Sequence, residues 1–589
     1  MTIYGEKGHV QEGWIKNRFK NNLNSTDIHD YIVQLNFQLV RTHDLHILKY
    51  QWNYLLTFLF SDTSKYLDEI ITICKLILYT RDIDYGKGER KLSYMLLLEL
   101  YNHNQEIAIM LFENFVAKLS NKTTIGCWKD VKRFSQYIYD ETKNQNHPFI
   151  LFMIEISNIY LTADHKQITQ IYDLFKDKDK QKIKKYIQNN VELHMVAKWL
   201  PRKSLNNNKY SWLFNKLADN MFKHYFKTIY KGKGNVDYKK LRKAVNKSEM
   251  NYRKMLSFVN KHLNVVEILQ TSHNTNKIDF TKLSSVSRER YHKSFLKPSA
   301  NNECKKNYKD FISTKKYIYT HQHLYEIIRN IIVNKLWLKK KDDLTRMMVV
   351  KLWKTKQRYI KNMENIPIVD TSQSMDGIPL YNSIGLGIFI SEHNHKLFKN
   401  KLLTFGNKPK LLEFTDKMDI CDKVKCIVTD NINVNSDLYS VFNMLIDTVK
   451  RYKLSVHELK SYSLTILSDM QIEDNVDIKN PCMYSNIKMM FDIAQIDMPQ
   501  VIFWNLKLHN GFPVSTIHDY TKILMISGFN ENQLSIFNSV NTKNMKKENT
   551  KNMKKEHTKV NRKYNLLFDI LDNKRYSVVN KEVVNILLL

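Results

Sequence analysis

The chain has 589 residues, a formal net charge of +33 and 43% hydrophobic residues. This length exceeds what one hydrophobic core usually supports, so the sequence predicts roughly two to four domains. The 14 glycines and 9 prolines are few, which argues against a turn-rich β architecture and favours long helices. The positive charge attracts polyanions, of which nucleic acid is the commonest; a lysine-rich bias without a binding role is the alternative.

The cysteines and the first residues of the chain indicate in which cellular compartment the protein resides. The six cysteines are scattered and form no Cys-x-x-Cys pair, which is typical of free thiols in a reducing environment. The first residues carry charges without an apolar core, so no secretory signal is predicted. Residues 45–60 are apolar but interrupted by polar side chains, so we predict a buried helix and not a membrane span. These features predict a cytoplasmic protein without membrane contact.

The sequence predicts an N-terminal extension over residues 1–26. It predicts a basic α-helical module with repeat-like stacked helices over residues 27–360. Apolar residues recur at helical spacing in residues 65–80, 92–101, 107–119 and 149–161. No clean sequence repeat is visible, and a curved array of antiparallel helices fits the pattern.

A charged segment between two predicted helices, RDIDYGKGER, contains two of the 14 glycines. Its Gly-Lys-Gly turn would let the backbone approach a phosphate closely while Lys87 and Arg90 neutralise the charge. The segment lacks the Walker spacing and the following Ser or Thr, which argues against nucleotide hydrolysis. An ordinary interhelix turn with solvated charges is the alternative.

Two further segments of the module pair a tryptophan with cations. The predicted nucleic-acid contacts in them are Trp128, Lys129, Lys198, Trp199, Arg202 and Lys203. Aromatic faces beside Lys or Arg are what single-stranded RNA uses for stacking and phosphate contact. A tryptophan at a helix end is more commonly buried, so burial of both rings is the alternative.

After residue 360 the pattern changes to short apolar runs that alternate with helical stretches. The runs are residues 366–369, 402–405, 464–467, 501–504 and 523–526. This alternation predicts an α/β doubly wound, Rossmann-like domain over residues 361–589, with parallel strands and helices on both faces. Residues 540–560 contain a Lys-rich eight-residue unit twice and have too few apolar residues to fold, so we predict an insertion loop.

Oxygen-bearing side chains stand in predicted loops of this domain, after two of the strands and at the start of one helix. They are Asp370, Ser372, Ser374, Ser436 and Asp469. Loops that follow the carboxyl ends of parallel strands lie at one rim of the sheet, so we expect these side chains to converge there. Oxygen-only ligands favour Mg²⁺ over zinc or copper, so the sequence predicts a site for Mg²⁺ or another divalent cation.

These five residues resemble the metal-ion-dependent adhesion site of von Willebrand factor A domains, and the resemblance covers residues 361–589. In that family two serines, a threonine and two aspartates hold Mg²⁺ directly or through water. Ser436 stands where threonine is usual, which keeps the hydroxyl, and Gln373 stands where small residues are common. The resemblance implies that a carboxylate of an acidic protein partner completes the metal shell.

The segments RDIDYGKGER, GCWKDV, AKWLPRKS, YRKMLSFVN and SDMQ resemble a family of uncharacterised proteins of plants, fungi and giant viruses. In that family a helical module, domain of unknown function 2828, precedes a von Willebrand A domain. The architecture is also similar to the Ro autoantigen, whose ring of helical repeats (the TROVE module) binds small noncoding RNAs and single-stranded ends of misfolded RNAs. A giant-virus source would imply the host cytoplasm or the virion.

Three functional hypotheses follow. The leading one is a noncatalytic RNA-binding scaffold of ribonucleoprotein type, which engages a protein partner through Mg²⁺. The alternative is a Mg²⁺-dependent protein-interaction module without an RNA function. The third is a metal-dependent enzyme, since clustered aspartates also serve two-metal phosphoryl chemistry, but no acid–base pair stands near the site in sequence.

Overall fold

The computed structural model of the protein describes residues 25–42, 44–116, 124–175, 179–203, 209–227, 237–263, 265–280, 283, 285–297, 301–313, 323–356, 363–405, 409–430, 438–451, 459, 462–470, 483–508, 523–534 and 565–588. Ser436 and the predicted insertion loop lie outside these residues. Chain contacts divide the protein into two compact units. We call residues 105–313 the helical unit, and residues 1–104 together with 314–589 the sheet unit.

The described part of the sheet unit that precedes the helical unit contains four α-helices: α1 (Ser25–Gln38), α2 (His46–Leu59), α3 (Leu67–Arg81) and α4 (Arg90–His103). Helices that are apolar around most of their circumference are buried on several sides, and α3 and α4 bury most of their residues in this way. The helices predicted here are confirmed, with ends shifted by one or two residues. No helix in the described part of the chain combines the length and the apolar content that crossing a membrane requires.

The described part of the helical unit is built of helices joined by loops. They are α5 (Gln105–Val116), α6 (Lys129–Thr142), α7 (Pro148–Leu174), α8 (Lys180–Asn190), α9 (Val196–Trp199), α10 (Ser211–Met221), α11 (Tyr238–His262), α12 (Val266–Thr271), α13 (Ser285–Leu296) and α14 (Asn302–Ser313). The long helix α7 packs against α6, α10 and α11. It begins at a proline, whose missing N–H costs nothing in the first turn, and the ring of His147 caps the N–H of Phe149 at 3.3 Å.

The other described elements of the sheet unit form and surround a sheet in which six strands are described. They are α15 (Leu324–Val333), α16 (Leu344–Lys356), β1 (Asn365–Asp370), α17 (Ile378–His393), β2 (Lys401–Phe405), β3 (Lys410–Glu413), α18 (Ile420–Asp430), α19 (Leu438–Arg451), β4 (Ser463–Ser468), α20 (Met483–Ile493), β5 (Gln500–Asn505), β6 (Ile523–Ser527), α21 (Asn565–Leu571) and α22 (Val578–Leu588). The strand order is β3-β2-β1-β4-β5-β6. All neighbours are parallel except β2 and β3.

The five predicted strands are confirmed, and the helix-rich part followed by an α/β part is confirmed with them. The sheet is mixed, however, because the short antiparallel strand β3 was not predicted. All four residues of β3 are at least partly exposed, and it begins with Lys410 and ends with Glu413, so its apolar signal is weak. An edge strand of this kind leaves little periodic pattern in a sequence.

Both faces of the sheet are covered. Val369, Leu467 and Trp504 belong to one core with residues of α15, α16, α17 and α18. Ile368 and Phe503 belong to the other core, with residues of α19 and α20. Strands buried on both faces lack polar alternation, which explains the continuous apolar runs in the sequence.

The compact units do not follow the boundary predicted at residue 360. Helix α15 packs against α17, and α21 and α22 pack against α3, so helices from both ends of the chain belong to the sheet unit. Only residues 105–313 of the predicted helical module form a unit of their own. The physical reason is that the apolar faces of the sheet need helices to cover them, and chain order does not reveal which helices do so.

Candidate functional site

Four of the five predicted metal-site residues lie within the described residues, at the carboxyl ends of the two central strands. Asp370 is the last residue of β1 and is fully buried, and Ser372 and Ser374 follow in the next loop. Asp469 comes directly after β4 and is also fully buried. The strands run outward from β1 in one direction and from β4 in the other, so this is the topological switch point where open α/β sheets bind ligands.

Hydrogen bonds set the orientation of Asp370. Its Oδ1 accepts from the backbone N–H of Ser372 at 2.9 Å, and its Oδ2 accepts from the hydroxyl of Ser468 at 2.5 Å. The hydroxyl oxygen of Ser468 accepts in turn from the N–H of Met470 at 3.0 Å. Ser468 was not selected from the sequence, although it is the neighbour of Asp469 and is the last residue of β4. It holds the carboxylate of Asp370 in place across two adjacent strands.

The donor atoms fit a hard divalent cation. The hydroxyl oxygens of Ser372 and Ser374 lie 3.0 Å apart. Adjacent ligands at about 2.1 Å from an octahedral Mg²⁺ are separated by about 3.0 Å as well. Among the described residues no group of three or more His, Cys, Asp or Glu side chains is arranged to hold a metal. The oxygen donors at this rim are two carboxylates and two hydroxyls, and oxygen donors of this kind suit Mg²⁺ or Mn²⁺.

The electrostatics of this rim favour a cation. Burial raises the pKa of Asp370 to about 6, hydrogen bonds from Ser468 and Ser372 oppose that rise, and the charge of Asp469 adds to it. Two buried carboxylates at neighbouring strand ends repel each other when both are ionised. The structure also brings in a cation that the sequence analysis did not select. The ammonium of Lys507 lies 3.8 Å from Oδ2 of Asp469.

The predicted phosphate contact at Lys87 is wrong, because its ammonium is buried. Lys87 is 1% exposed, and its Nζ donates to the carbonyls of Asn36 at 2.5 Å and Leu39 at 3.1 Å, and to the hydroxyl of Ser527 at 2.6 Å. Burial lowers the pKa of Lys87 well below its usual value. The side chain ties the end of α1 to the end of β6. Arg90, the other predicted contact in this loop, is exposed.

The loop that contains Lys87 joins distant parts of the sheet unit. Asp82 is fully buried and accepts hydrogen bonds from Arg575 at 2.5 and 2.9 Å and from the hydroxyl of Tyr576 at 2.9 Å. The amide of Asn530 donates to the carbonyl of Gly86 at 2.6 Å. Neither a phosphate-binding turn nor a solvated connection describes this loop, because most of its polar groups are used in packing.

In the helical unit the structure brings together tryptophan and lysine side chains that are distant in sequence. The ring centroid of Trp199 lies 4.8 Å from Nζ of Lys129, 5.2 Å from Nζ of Lys198 and 5.7 Å from Nζ of Lys132. Lys129 and Lys132 are three residues apart on α6 and therefore share one face. Burial lowers the pKa of Lys132, and the charge of Lys129 contributes to that shift. Trp199 and all three lysines are partly exposed.

Tyr210 extends this cluster. Its ring centroid lies 5.7 Å from Nζ of Lys132 and 5.2 Å from Nζ of Lys209. We call Trp199, Tyr210, Lys129, Lys132, Lys198 and Lys209 the Trp199 surface. The sequence did not single out Lys132, Lys209 or Tyr210. For Lys132, its spacing of three residues from Lys129 was the available signal.

The position of Trp199 depends on how the short helix α9 is anchored. Ala197 is fully buried, and its carbonyl accepts from the amide of Asn260 at 2.7 Å. Asn260 belongs to α11 and is itself fully buried. Leu200 and Pro201 are buried directly after the helix, and helical geometry is disfavoured for a residue that precedes a proline. These contacts hold Trp199 at the end of α9.

The other predicted contacts of the helical unit differ in their surroundings. Trp128 is 5% exposed and packs edge-on against Tyr160 with ring centroids 5.0 Å apart, so it is no stacking platform and the burial alternative holds for it. Lys203 pairs with Glu249 at 2.8 Å, and that carboxylate is largely buried. Arg202 is exposed. The predicted set is therefore reduced chiefly to Lys129, Lys198 and Trp199, all of which lie in the Trp199 surface.

Comparisons with known proteins cover both units. Residues 364–574 match DUF7788, a domain of unknown function, and residues 160–316 match DUF2828, another domain of unknown function. The chain is 27% identical over 501 residues to Uncharacterized protein L728 of Acanthamoeba polyphaga mimivirus, covering 80% of this chain and 78% of that protein. The resemblance to domain 2828 is thus confirmed over residues 160–316, with a giant-virus relative. The first match contains Asp370 and Asp469, and the second contains Trp199.

Proposed function

We propose that the protein binds single-stranded RNA through the Trp199 surface. The observation that carries this proposal is the partly exposed ring of Trp199 with three ammonium groups within 5.7 Å of its centroid. An unpaired base stacks on an aromatic face while neighbouring lysines neutralise the adjacent phosphates. Bases in an RNA helix are already stacked on each other, so such a surface favours single strands.

The charge of the chain and its architecture support the same proposal. A net charge of +33 attracts a polyanion over long distances and raises the association rate. The resemblance to the Ro autoantigen that the sequence suggested would imply a scaffold of ribonucleoprotein type that holds RNA without transforming it. The role proposed for the helical unit is therefore binding and not catalysis.

Replacing Trp199 by Ala tests the stacking contact. We expect Trp199→Ala to weaken binding of a fluorescently labelled single-stranded RNA by about 1–3 kcal/mol, because one base loses its aromatic partner. Fluorescence anisotropy with the full-length protein measures this change, and Trp199→Phe should retain most of the affinity. Equal affinities of the wild type and the Ala variant would contradict the proposal.

The same titrations in a salt series test the lysines. Lys132→Met should reduce the slope of log K against log salt concentration by about 0.7 for each phosphate contact that it removes. Lys425→Met is the matched control, because it removes one exposed lysine charge from the sheet unit and not from the Trp199 surface. Affinity without any salt dependence would show that phosphate contacts do not contribute.

We propose as a second function that the sheet unit binds a divalent cation in the manner of a von Willebrand A adhesion site. Asp370, Ser372, Ser374 and Asp469 would hold the cation, and Ser436 is the fifth proposed ligand, outside the described residues. The location of the four at the topological switch point of a largely parallel sheet supports this proposal. A bound Mg²⁺ would supply an open coordination position for a carboxylate of an acidic protein partner.

Replacing Asp370 by Asn tests the cation site. We expect Asp370→Asn to weaken Mn²⁺ binding by about tenfold or more, because a neutral amide replaces a carboxylate ligand of the same shape. Isothermal titration calorimetry of the full-length protein with MnCl₂ measures this. The control is Asp376→Asn, an exposed carboxylate in the same loop, which should leave binding unchanged. Unaltered affinity in Asp370→Asn, or no binding by the wild type, would refute the second function.

A further inference from the structure

Lys507 follows β5, whose carboxyl end lies next to that of β4 at the same rim of the sheet. The N–H of Leu506 donates to the carbonyl of Ser468 at 3.0 Å, and the N–H of Lys507 donates to Oδ1 of Asn505 at 3.1 Å. Asn505 is 2% exposed, and its amide donates to the carbonyl of Phe37 at 3.0 Å. These hydrogen bonds fix the backbone at Lys507 and therefore the position of its Cα.

The side chain of Lys507 reaches into the candidate cation site. Its Nζ donates to the carbonyl of Ser374 at 2.6 Å and lies 3.8 Å from Oδ2 of Asp469. Asp469 is fully buried, whereas 42% of the Lys507 side chain is exposed. The lysine therefore approaches from the solvent side and places a positive charge beside two of the proposed cation-holding residues.

This arrangement has an electrostatic consequence. In the protein alone, one ammonium offsets part of the repulsion between the carboxylates of Asp370 and Asp469. With a divalent cation bound to those carboxylates, the same ammonium is a like charge a few ångströms away. Interactions between charges at such separations are strong where burial limits screening by water. Cation and ammonium therefore repel each other on the Asp469 side, which makes occupation by both less favourable than occupation by either one alone.

We propose that the ammonium group of Lys507 competes with the divalent cation for the site. It occupies the Asp469 side until the cation displaces it. This inference rests on the cation site proposed above. It assigns Lys507 the role of lowering the affinity of the site below what its oxygen ligands alone would provide.

Titration of the full-length protein with MnCl₂ tests the competition. We expect Lys507→Met to bind Mn²⁺ about tenfold more tightly than the wild type, because the competing charge is gone. Lys507→Arg keeps the charge and should stay nearer to the wild type. Lys425→Met is the matched control: Lys425 is exposed on α18, and its replacement removes the same charge elsewhere in the sheet unit. The shift in melting temperature produced by Mn²⁺ is a second readout, and it should be larger for Lys507→Met than for the wild type.

The outcomes separate this inference from the cation site itself. Tighter Mn²⁺ binding by Lys507→Met, without tighter binding by Lys425→Met, supports the competition. The competition is overturned if Lys507→Met binds Mn²⁺ no more tightly than the wild type. If the wild type binds Mn²⁺ and Asp370→Asn does not, the cation site itself is still supported. Equal tightening by Lys425→Met overturns it too, because net charge would then be the cause. Absence of Mn²⁺ binding in the wild type and in Lys507→Met overturns the site and the competition together.

Discussion

Asp82→Ala is expected to lower the free energy of unfolding of the sheet unit by about 3–5 kcal/mol, the cost of removing one partner from a buried ion pair. Asp82 is fully buried and accepts hydrogen bonds from the guanidinium of Arg575 and the hydroxyl of Tyr576. The side chain of Arg575 is only 10% exposed, so without Asp82 its charge lacks its closest partner in a place that water reaches poorly.

Differential scanning calorimetry of the full-length protein measures this loss as a fall in the melting temperature of one transition. The matched control is Asp84→Ala in the same loop. Asp84 lies 3.6 Å from Arg575, and 22% of its side chain is exposed, so we expect a loss of about 1 kcal/mol or less. Similar losses in the two variants would show that the loop does not depend on the buried pair.

Gly86→Ala is expected to destabilise the sheet unit by about 3 kcal/mol, at the upper end of what overpacking costs. A Cβ at this position would lie 1.9 Å from the carbonyl oxygen of Tyr79. That oxygen belongs to the backbone of α3 and also accepts the N–H of Lys87 at 3.0 Å, so no side-chain movement relieves the clash. The loop has to shift, and the three hydrogen bonds of the Lys87 ammonium shift with it.

The other glycine of the loop provides the control for this prediction. A Cβ on Gly88 would be no closer than 3.5 Å to His323, which is ordinary contact, although its φ of +70° disfavours a side chain. We expect Gly88→Ala to cost about 1–2 kcal/mol, the strain of the left-handed conformation alone. The same calorimetry compares the two variants, and a Gly88→Ala loss equal to that of Gly86→Ala would contradict the steric argument.

These two predictions concern the loop that the sequence analysis assigned to phosphate binding or to an ordinary turn. From the sequence we expected the glycines to let a phosphate approach the backbone, whereas in the structure the group next to Gly86 is the carbonyl of Tyr79. The partners of the loop could not be read from neighbouring residues, because Ser527 lies 440 positions from Lys87 and Arg575 lies 493 positions from Asp82.

The candidate cation site was more accessible to sequence analysis. Asp370 and Asp469 each stand at the end of an apolar strand, and parallel strands present their carboxyl ends at one rim. Strand order was what the sequence lacked: it makes β1 and β4 neighbours and adds Ser468 and Lys507 to the site. Neither of these residues carries a local pattern that distinguishes it from other serines and lysines of the chain.

The two tryptophans show the same limit. Trp128 and Trp199 stand in similar basic segments, so the sequence predicted the same RNA-stacking role for both. Packing decided between them: Trp128 lies against Tyr160 of α7 and is buried, whereas Trp199 stays partly exposed beside lysines of α6. Exposure depends on which helix happens to cover a ring, and that helix is distant in sequence.

The sequence by itself determined the helix-rich character of the first part of the chain, five of the six strands that the structure describes, and the strand-end positions of Asp370 and Asp469. These features follow from the spacing of apolar residues within a few turns or one strand, which is a local property. Only the tertiary structure decided which charges are buried, which helices cover the sheet and which lysines surround Trp199. Those outcomes depend on desolvation, and the cost of desolvation is set by atoms that distant segments bring together.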